Sequence, residues 1–256
     1  MSGEVLLSLA DAVASVTLSN PGKLNAMSRP MWHELRTAFE QIQRNPQVRC
    51  VVIGGLDGHF CAGGDISEYA GFRFQPESLR DFHENDVWPA LQAMLDCDVP
   101  LLARIEGNCM GAGMEIASCC DIRLASLSAR FGAPIARLGF PMAPREAALV
   151  ARETTLTVVR QMLLEAMVFS AADMKATGFL SRLSADAQLV VDAQTSSLRI
   201  AALAPQAARM NKQTLRSLLN ASAAAGIEDD LTYAYADSAE HREGIGAFLE
   251  KRKPLF

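Results

Sequence analysis

The stretch from Val99 to Asp121 limits what this chain can fold into more than any other. Val99-Pro100-Leu101-Leu102-Ala103-Arg104-Ile105 is short and mostly apolar, the pattern of a buried strand. A glycine-bearing turn follows through Glu106-Gly107-Asn108-Cys109-Met110, and from Gly111 onward the residues are small or helix-favouring. This order predicts a strand, a turn whose backbone passes close to another segment, and a helix opening near Gly111. Peptide N–H groups at a helix start have no intrahelical partner, and the helix dipole favours negative charge there. Glu115 follows about one helical turn later. A carboxylate beside unpaired N–H groups can move protons next to a stabilised oxyanion.

A second junction of the same kind lies upstream. Cys50-Val51-Val52-Ile53-Gly54-Gly55 reads as another buried strand, followed by Gly58-His59-Phe60-Cys61-Ala62-Gly63-Gly64-Asp65-Ile66. One such turn is common in α/β proteins. Two of them can bring two backbone N–H groups to one oxygen, as acyl-thioester chemistry requires.

Four segments, in order and reaching nearly end to end, resemble the signatures of the enoyl-CoA hydratase/isomerase (crotonase) superfamily. They are Asn20 to Met27, Phe60 to Ile66, Ile105 to Asp121 and Glu243 to Pro254. The resemblance implies an α/β fold of the crotonase-like (ClpP/crotonase) type, with a stacked ββα core over residues 1–195. It implies a C-terminal helical region over 196–256 that covers part of the acyl-CoA site and builds a homotrimer or a dimer of trimers. The substrate implied is an acyl-CoA thioester. Coenzyme A enters as part of it, and no separate cofactor or metal is called for.

The resemblance also assigns residues. Ala62 and Ala112 match the oxyanion-hole positions, acting through backbone N–H groups, and Glu115 matches the hydratases' catalytic glutamate. Lys23, Leu24, Ala26, Gly64, Asp65, Ile66 and Gly111 match segments that bind coenzyme A. Lys251 matches a lysine near the CoA phosphates, often supplied by a neighbouring subunit; Lys251-Arg252-Lys253 is equally a solvated basic helix end. Plainer readings stand beside these: packed turn alanines for Ala62 and Ala112, a salt-bridged helix-face carboxylate for Glu115. Glu115 sits among Gly111, Ala112, Gly113, Met114, Ile116 and Ala117, with few local charged partners, which favours a cleft role.

The sequence departs from the hydratase pattern at Ile135. Hydratases carry a second glutamate after the Phe-Gly-x-Pro pattern, here Phe131-Gly132-Ala133-Pro134. An isoleucine neither holds a water nor shuttles a proton. One carboxylate still suffices to carry a proton between C2 and C4, so isomerase-like chemistry is favoured over efficient hydration. Glu146 is read with Arg145 as a solvated helix start, with replacement of the missing glutamate as the other reading. Further alternatives are hydration with another second acid/base, decarboxylation, thioester hydrolysis, or a catalytically weak acyl-CoA-binding subunit.

Composition agrees. The 256 residues are 50% hydrophobic and 21% charged, as in an ordinary globular protein. A net charge of -5 argues against nucleic acid or a membrane surface as the main partner. The six cysteines show no paired CxxC spacing and the four histidines are scattered, so free thiols in a reducing cytoplasm are expected and no zinc site. No His is placed to activate Cys61 or Cys109, and both read as packing residues. No signal peptide or membrane span is read, which makes the expected location cytoplasmic.

Along the chain, Val5 to Leu9 and Ala12 to Leu18 predict a hairpin, and Met31, Leu35, Phe39 and Ile42 a helix capped by Ser28. Residues 71–76 read as irregular. Leu79, Phe82, Val87, Leu91 and Leu95 fit a helix kinked at Pro89. Ile122 to Ala125 is a strand, Phe131 to Pro141 is turn-rich, and Arg145 to Val150 and Leu156 to Val168 are helices. Ser170 caps a short helix ending near Gly178, and further helices are expected near 187–203, 205–220, 227–239 and 241–249. Phe72, Phe74, Phe82, Trp88 and Phe140 are candidate acyl-pocket walls or core. Asp65 is a loop cap and His59 a surface residue.

Overall fold

The computed structural model describes residues 3–219 and 238–256. The expected helix at 227–239 therefore lies largely outside the described residues. In chain order the elements are β1 (Glu4–Ala10), β2 (Val13–Ser19), α1 (Arg29–Arg44), β3 (Cys50–Gly55), α2 (Pro76–Asp81) and α3 (Trp88–Asp96). Next come β4 (Leu101–Ile105), β5 (Asn108–Met110), α4 (Ala112–Ser118), β6 (Ile122–Ser126), β7 (Arg130–Gly132), α5 (Pro144–Glu153) and α6 (Leu156–Leu164). The chain closes with β8 (Val168–Ser170), α7 (Ala171–Ala176), β9 (Arg182–Ser184), α8 (Leu189–Ala201), α9 (Pro205–Leu219) and α10 (Ala239–Leu249).

A six-stranded sheet runs β1-β2-β3-β4-β6-β9, antiparallel at its first pair and parallel thereafter. β2 alternates, so Ala14, Val16 and Leu18 enter the core. β3 and β4 are covered on both faces, which is why they read as continuous apolar runs. One face receives α1 through Met31, Trp32, Leu35, Phe39 and Ile42. Part of the other face is covered by α8, where Leu189 and Ala193 pack on Leu102 and Leu124. α8 runs across the expected 195/196 boundary, so its first half belongs to the packed core.

A small second sheet, β5-β7-β8, was not legible in the sequence. Asn108 to Met110, expected in a turn, pairs in parallel with Arg130 to Gly132. Val168, expected to end a helix, instead opens a strand through Ser170 that pairs antiparallel with the same strand. Three-residue strands are too short to show periodicity. Gly107 makes the step between the sheets possible: it has φ +52°, and a Cβ there would lie 2.4 Å from the Gly58 carbonyl oxygen. β4, β5 and α4 are thus one ββα unit, with α4 leaving the small sheet at its glycine corner.

The irregularity expected at Pro89 sits one turn earlier. A wide π turn spans Phe82–Val87, and α3 begins with Pro89 in its first turn, where no N–H is needed. Ser28 occupies the N-cap of α1 without a side-chain cap bond. Ser170 forms a full capping box with Asp173.

Candidate active site

The two glycine-bearing turns lie side by side because their backbones pair. Cys61 N–H donates to the Asn108 carbonyl at 2.8 Å, and Met110 N–H returns to the Cys61 carbonyl at 2.9 Å. Contact this close needs Gly113, where an added Cβ would meet the Cys61 carbonyl oxygen at 2.7 Å. Alongside lies a cavity of about 330 Å³, walled by both turns, Glu115, Tyr69, Arg73, His83, Ile135 and Phe140.

The first turn corrects one assignment. Ala62 N–H is already committed, donating to the Leu24 carbonyl at 3.0 Å. Met27 pairs with the Gly63 carbonyl and with Asp65 N–H, at 2.8 Å each. In extended backbone, alternate peptide groups face opposite ways, so Gly64 N–H is turned away from Met27 and has no backbone acceptor among the described residues. Ala112, the first residue of α4, likewise has an N–H without a backbone acceptor there. On the cavity wall, Gly64 and Ala112 thus each offer an N–H group without a backbone acceptor among the described residues, whereas that of Ala62 is taken up by Leu24. The peptide alternation, set by pairing with Met27, is the signal the motif alone does not carry.

Glu115 is the one carboxylate among the cavity-lining residues. Burial pushes its pKa up to about 8; the Glu146 carboxylate adds to the rise and the Arg73 guanidinium opposes it. Glu146 is not the solvated helix start expected. Arg145 is, pairing with Glu84 at 3.0 Å on the surface, but Glu146 is only 3% exposed and lies 3.0 Å from His83 Nδ1. Successive residues on a helix diverge by about 100°. Glu146, Leu149 and Val150 share the buried face of α5, an i, i+3, i+4 stripe that could have flagged Glu146. No sequence pattern singled out His83, which the π turn carries to the cavity, or Arg73, which comes from an irregular segment.

Ile135 lines the cavity at the position the second glutamate was expected to vacate. Of the candidate aromatic walls, Phe82 and Phe140 reach it, while Phe72 is buried behind and Phe74 is 78% exposed.

The coenzyme-binding assignments divide. Gly64, Ile66 and Gly111 line the cavity. Leu24 and Ile66 are exposed, at 45% and 55%, and Ala26 is buried. Lys23 is tied to Asp65 at 2.6 Å and to Ser67 at 2.8 Å, with its side chain still half-exposed. Asp65 caps the short helical turn beginning at Ile66, as expected. Burial works against its charge, but Lys23 and Ser67 together hold its pKa below the usual carboxylate value. Lys251 is exposed in the turn after α10 and does not line the cavity. His59, expected at the surface, is half-buried and accepts the Asn108 N–H at Nδ1.

All six cysteines are buried and unpaired; burial raises the Cys61 thiol to about 12, which suits packing and not nucleophilic attack. Among the described residues, no helix is long and apolar enough to cross a membrane, and no three of His, Cys, Asp and Glu gather as metal ligands.

This fold, with two glycine turns facing one acid in an apolar cavity, belongs to a known class of proteins. The family model for enoyl-CoA hydratase/isomerase matches residues 9–256. A probable enoyl-CoA hydratase of Mycobacterium tuberculosis is 28% identical over 254 residues, covering 98% of this chain and 97% of that protein. The 2,3-dehydroadipyl-CoA hydratase of Escherichia coli is 30% identical over 256 residues, covering 99% and 98%. The crystal structure of an enoyl-CoA hydratase/carnithine racemase from Magnetospirillum magneticum superposes with a TM-score of 0.95 at 33% identity, covering 98% of this chain and 94% of that one. The chain belongs to the enoyl-CoA hydratase/isomerase family, and it is an acyl-CoA enzyme of lyase or isomerase type with the crotonase fold.

Proposed function

We propose that the cavity binds an acyl-CoA thioester, holds its developing enolate oxygen between the N–H groups of Gly64 and Ala112, and moves a proton with Glu115. The observation that carries this is the placement of a single carboxylate on the same cavity wall as two uncommitted backbone donors. Abstraction at C2 of a 3-enoyl-CoA gives a dienolate whose charge the two donors stabilise, by several kcal/mol together. Return of the proton at C4 yields the 2-enoyl-CoA and needs only that base. Ile135 puts an apolar side chain in the lining where the hydratase pattern has its second carboxylate, so isomerisation is favoured over hydration. Conversion of 3-enoyl- to 2-enoyl-CoA by the purified protein, lost in Glu115→Gln, tests this; a fully active Glu115→Gln variant would refute it.

Hydration is the second reading, and one observation favours it. Glu146 holds His83 by Nδ1, which leaves Nε2 available to a water at the cavity. His83 would then supply the function absent at Ile135. In that case His83→Ala lowers 2-enoyl-CoA hydration much more than isomerisation, and equal losses would exclude it.

Assembly through the C-terminal helices belongs to the same proposal. Supporting it, Phe248 and Leu249 on α10 are 81% and 73% exposed, as is Leu255 at 84%, apolar side chains that a neighbouring subunit would cover. Light scattering is expected to give a trimer or hexamer, and a monomer at micromolar concentration would exclude it.

A further inference from the structure

Other buried or half-buried arginines have oxygen partners: Arg29, Arg123 and Arg216 reach the carboxylates of Asp86, Glu153 and Asp98, and Arg49 and Arg209 reach backbone carbonyls. Arg73, which lines the acyl cavity, has no carboxylate partner among the described residues. Its guanidinium carbon lies over two aromatic rings instead, 4.5 Å from the Tyr69 centroid and 3.9 Å from that of Phe140, the rings themselves meeting edge to face. Cation–π contact of this kind holds the group in place and offsets part of the desolvation, but it supplies no carboxylate. Burial lowers the Arg73 pKa, yet an arginine remains charged at any ordinary pH. Glu115, the only acid on the wall, is largely protonated near neutrality and so does not neutralise it.

The cavity therefore presents a positioned cation with open hydrogen-bonding capacity beside Phe82, Ile135 and Phe140; the other arginine of its lining, Arg137, is exposed and donates to the Ala166 carbonyl. A methyl-terminated acyl chain would leave that cation unpaired. A carboxylate would pair with it through a charge-assisted, fork-shaped contact. We propose that Arg73 anchors a second carboxylate on the acyl group, so that the preferred substrates are CoA thioesters of dicarboxylic acids. This rests on the acyl-CoA reading above and deepens it. A CoA phosphate is the competing anion, and binding measurements separate the two sources.

The experiment is calorimetric titration of the full-length protein with saturated acyl-CoAs of four to eight carbons. Methyl-ended and ω-carboxylate-ended members of equal length are compared, with CoA itself as reference. At the best-fitting length, the carboxylate-ended ligand is expected to bind about 10- to 100-fold more tightly than its methyl-ended partner. In Arg73→Gln that preference collapses to about one, and Arg73→Lys retains part of it. Equal affinity of the two series for the unmodified protein overturns the inference. So does a variant that loses affinity equally for both series and for CoA, which marks a phosphate contact. If no acyl-CoA binds at all, the acyl-CoA reading falls together with it.

Discussion

The two walls of the cavity are built in different ways. One is backbone: two strand-to-turn junctions, paired through Cys61 and Asn108, that present the N–H groups of Gly64 and Ala112. The other is side chain: Arg73, His83, Ile135 and Phe140, gathered from an irregular segment, a π turn and the loop leading into α5. The backbone wall depends on glycine at close contacts and tolerates little change. The side-chain wall can be altered without disturbing the strands, and it is where this enzyme differs from the two-glutamate pattern. In the proposed mechanism, enolate stabilisation falls to the backbone wall, whereas the choice of reaction and acyl group falls to the side-chain wall.

The largest expected effect lies where the walls meet. Glu115→Gln removes the proposed acid/base and is expected to lower turnover by about 10²- to 10⁴-fold with acyl-CoA binding retained, as steady-state kinetics and titration will show. Gly113→Ala strikes the backbone wall alone. Its new Cβ falls 2.7 Å from the Cys61 carbonyl oxygen, which cannot swing aside. A loss of about 1–3 kcal/mol in denaturant unfolding is expected, with activity falling as the donors shift. Unchanged stability would mean that the two turns are not held so tightly.

A third prediction concerns stability against pH. The folded pKa of Glu115, about 8, lies above that of an unfolded glutamate, about 4.3. Between those values the unfolded chain has released the proton and the folded chain keeps it. The group therefore lowers stability progressively as pH rises through that window. Glu115→Gln is expected to raise the melting temperature relative to the parent at pH 8 and to leave it unchanged at pH 4. The same difference at both values would contradict the raised pKa.

The smallest effects fall on the pH profile. Glu115 must start as the base, so kcat/KM for isomerisation is expected to rise with pH and level off above about 8. The charged groups acting on it are Glu146, which raises its pKa, and Arg73, which lowers it. Glu146→Gln will move the rising limb to lower pH and Arg73→Gln to higher pH. Shifts in the same direction would show that the facing wall does not tune the acid in this way.

The same division explains what the sequence made legible. Glu115, Ala112 and the strand–turn–helix order are local, and glycine spacing reveals them. The hairpin and α1 followed from apolar periodicity, and the main-sheet strands β3, β4 and β6 from short apolar runs. The second sheet did not, because β5, β7 and β8 have three residues each and are defined by partners far away in sequence. Gly64 was passed over for Ala62 because N–H direction is set by Met27, some 37 residues upstream. Glu146 was misjudged because its neighbour Arg145 really is solvated, and charge type masked the helical stripe. Arg73 and His83 lie where no periodicity operates.

The most direct test of the central claim is to follow a 3-enoyl-CoA panel, methyl- and carboxylate-ended, in deuterated water with the unmodified protein and Glu115→Gln. The unmodified protein is expected to form 2-enoyl-CoA faster than any 3-hydroxyacyl-CoA, and Glu115→Gln to form neither product. Hydration on the order of 10² s⁻¹ or more without isomerisation, or turnover that survives Glu115→Gln, would contradict that claim.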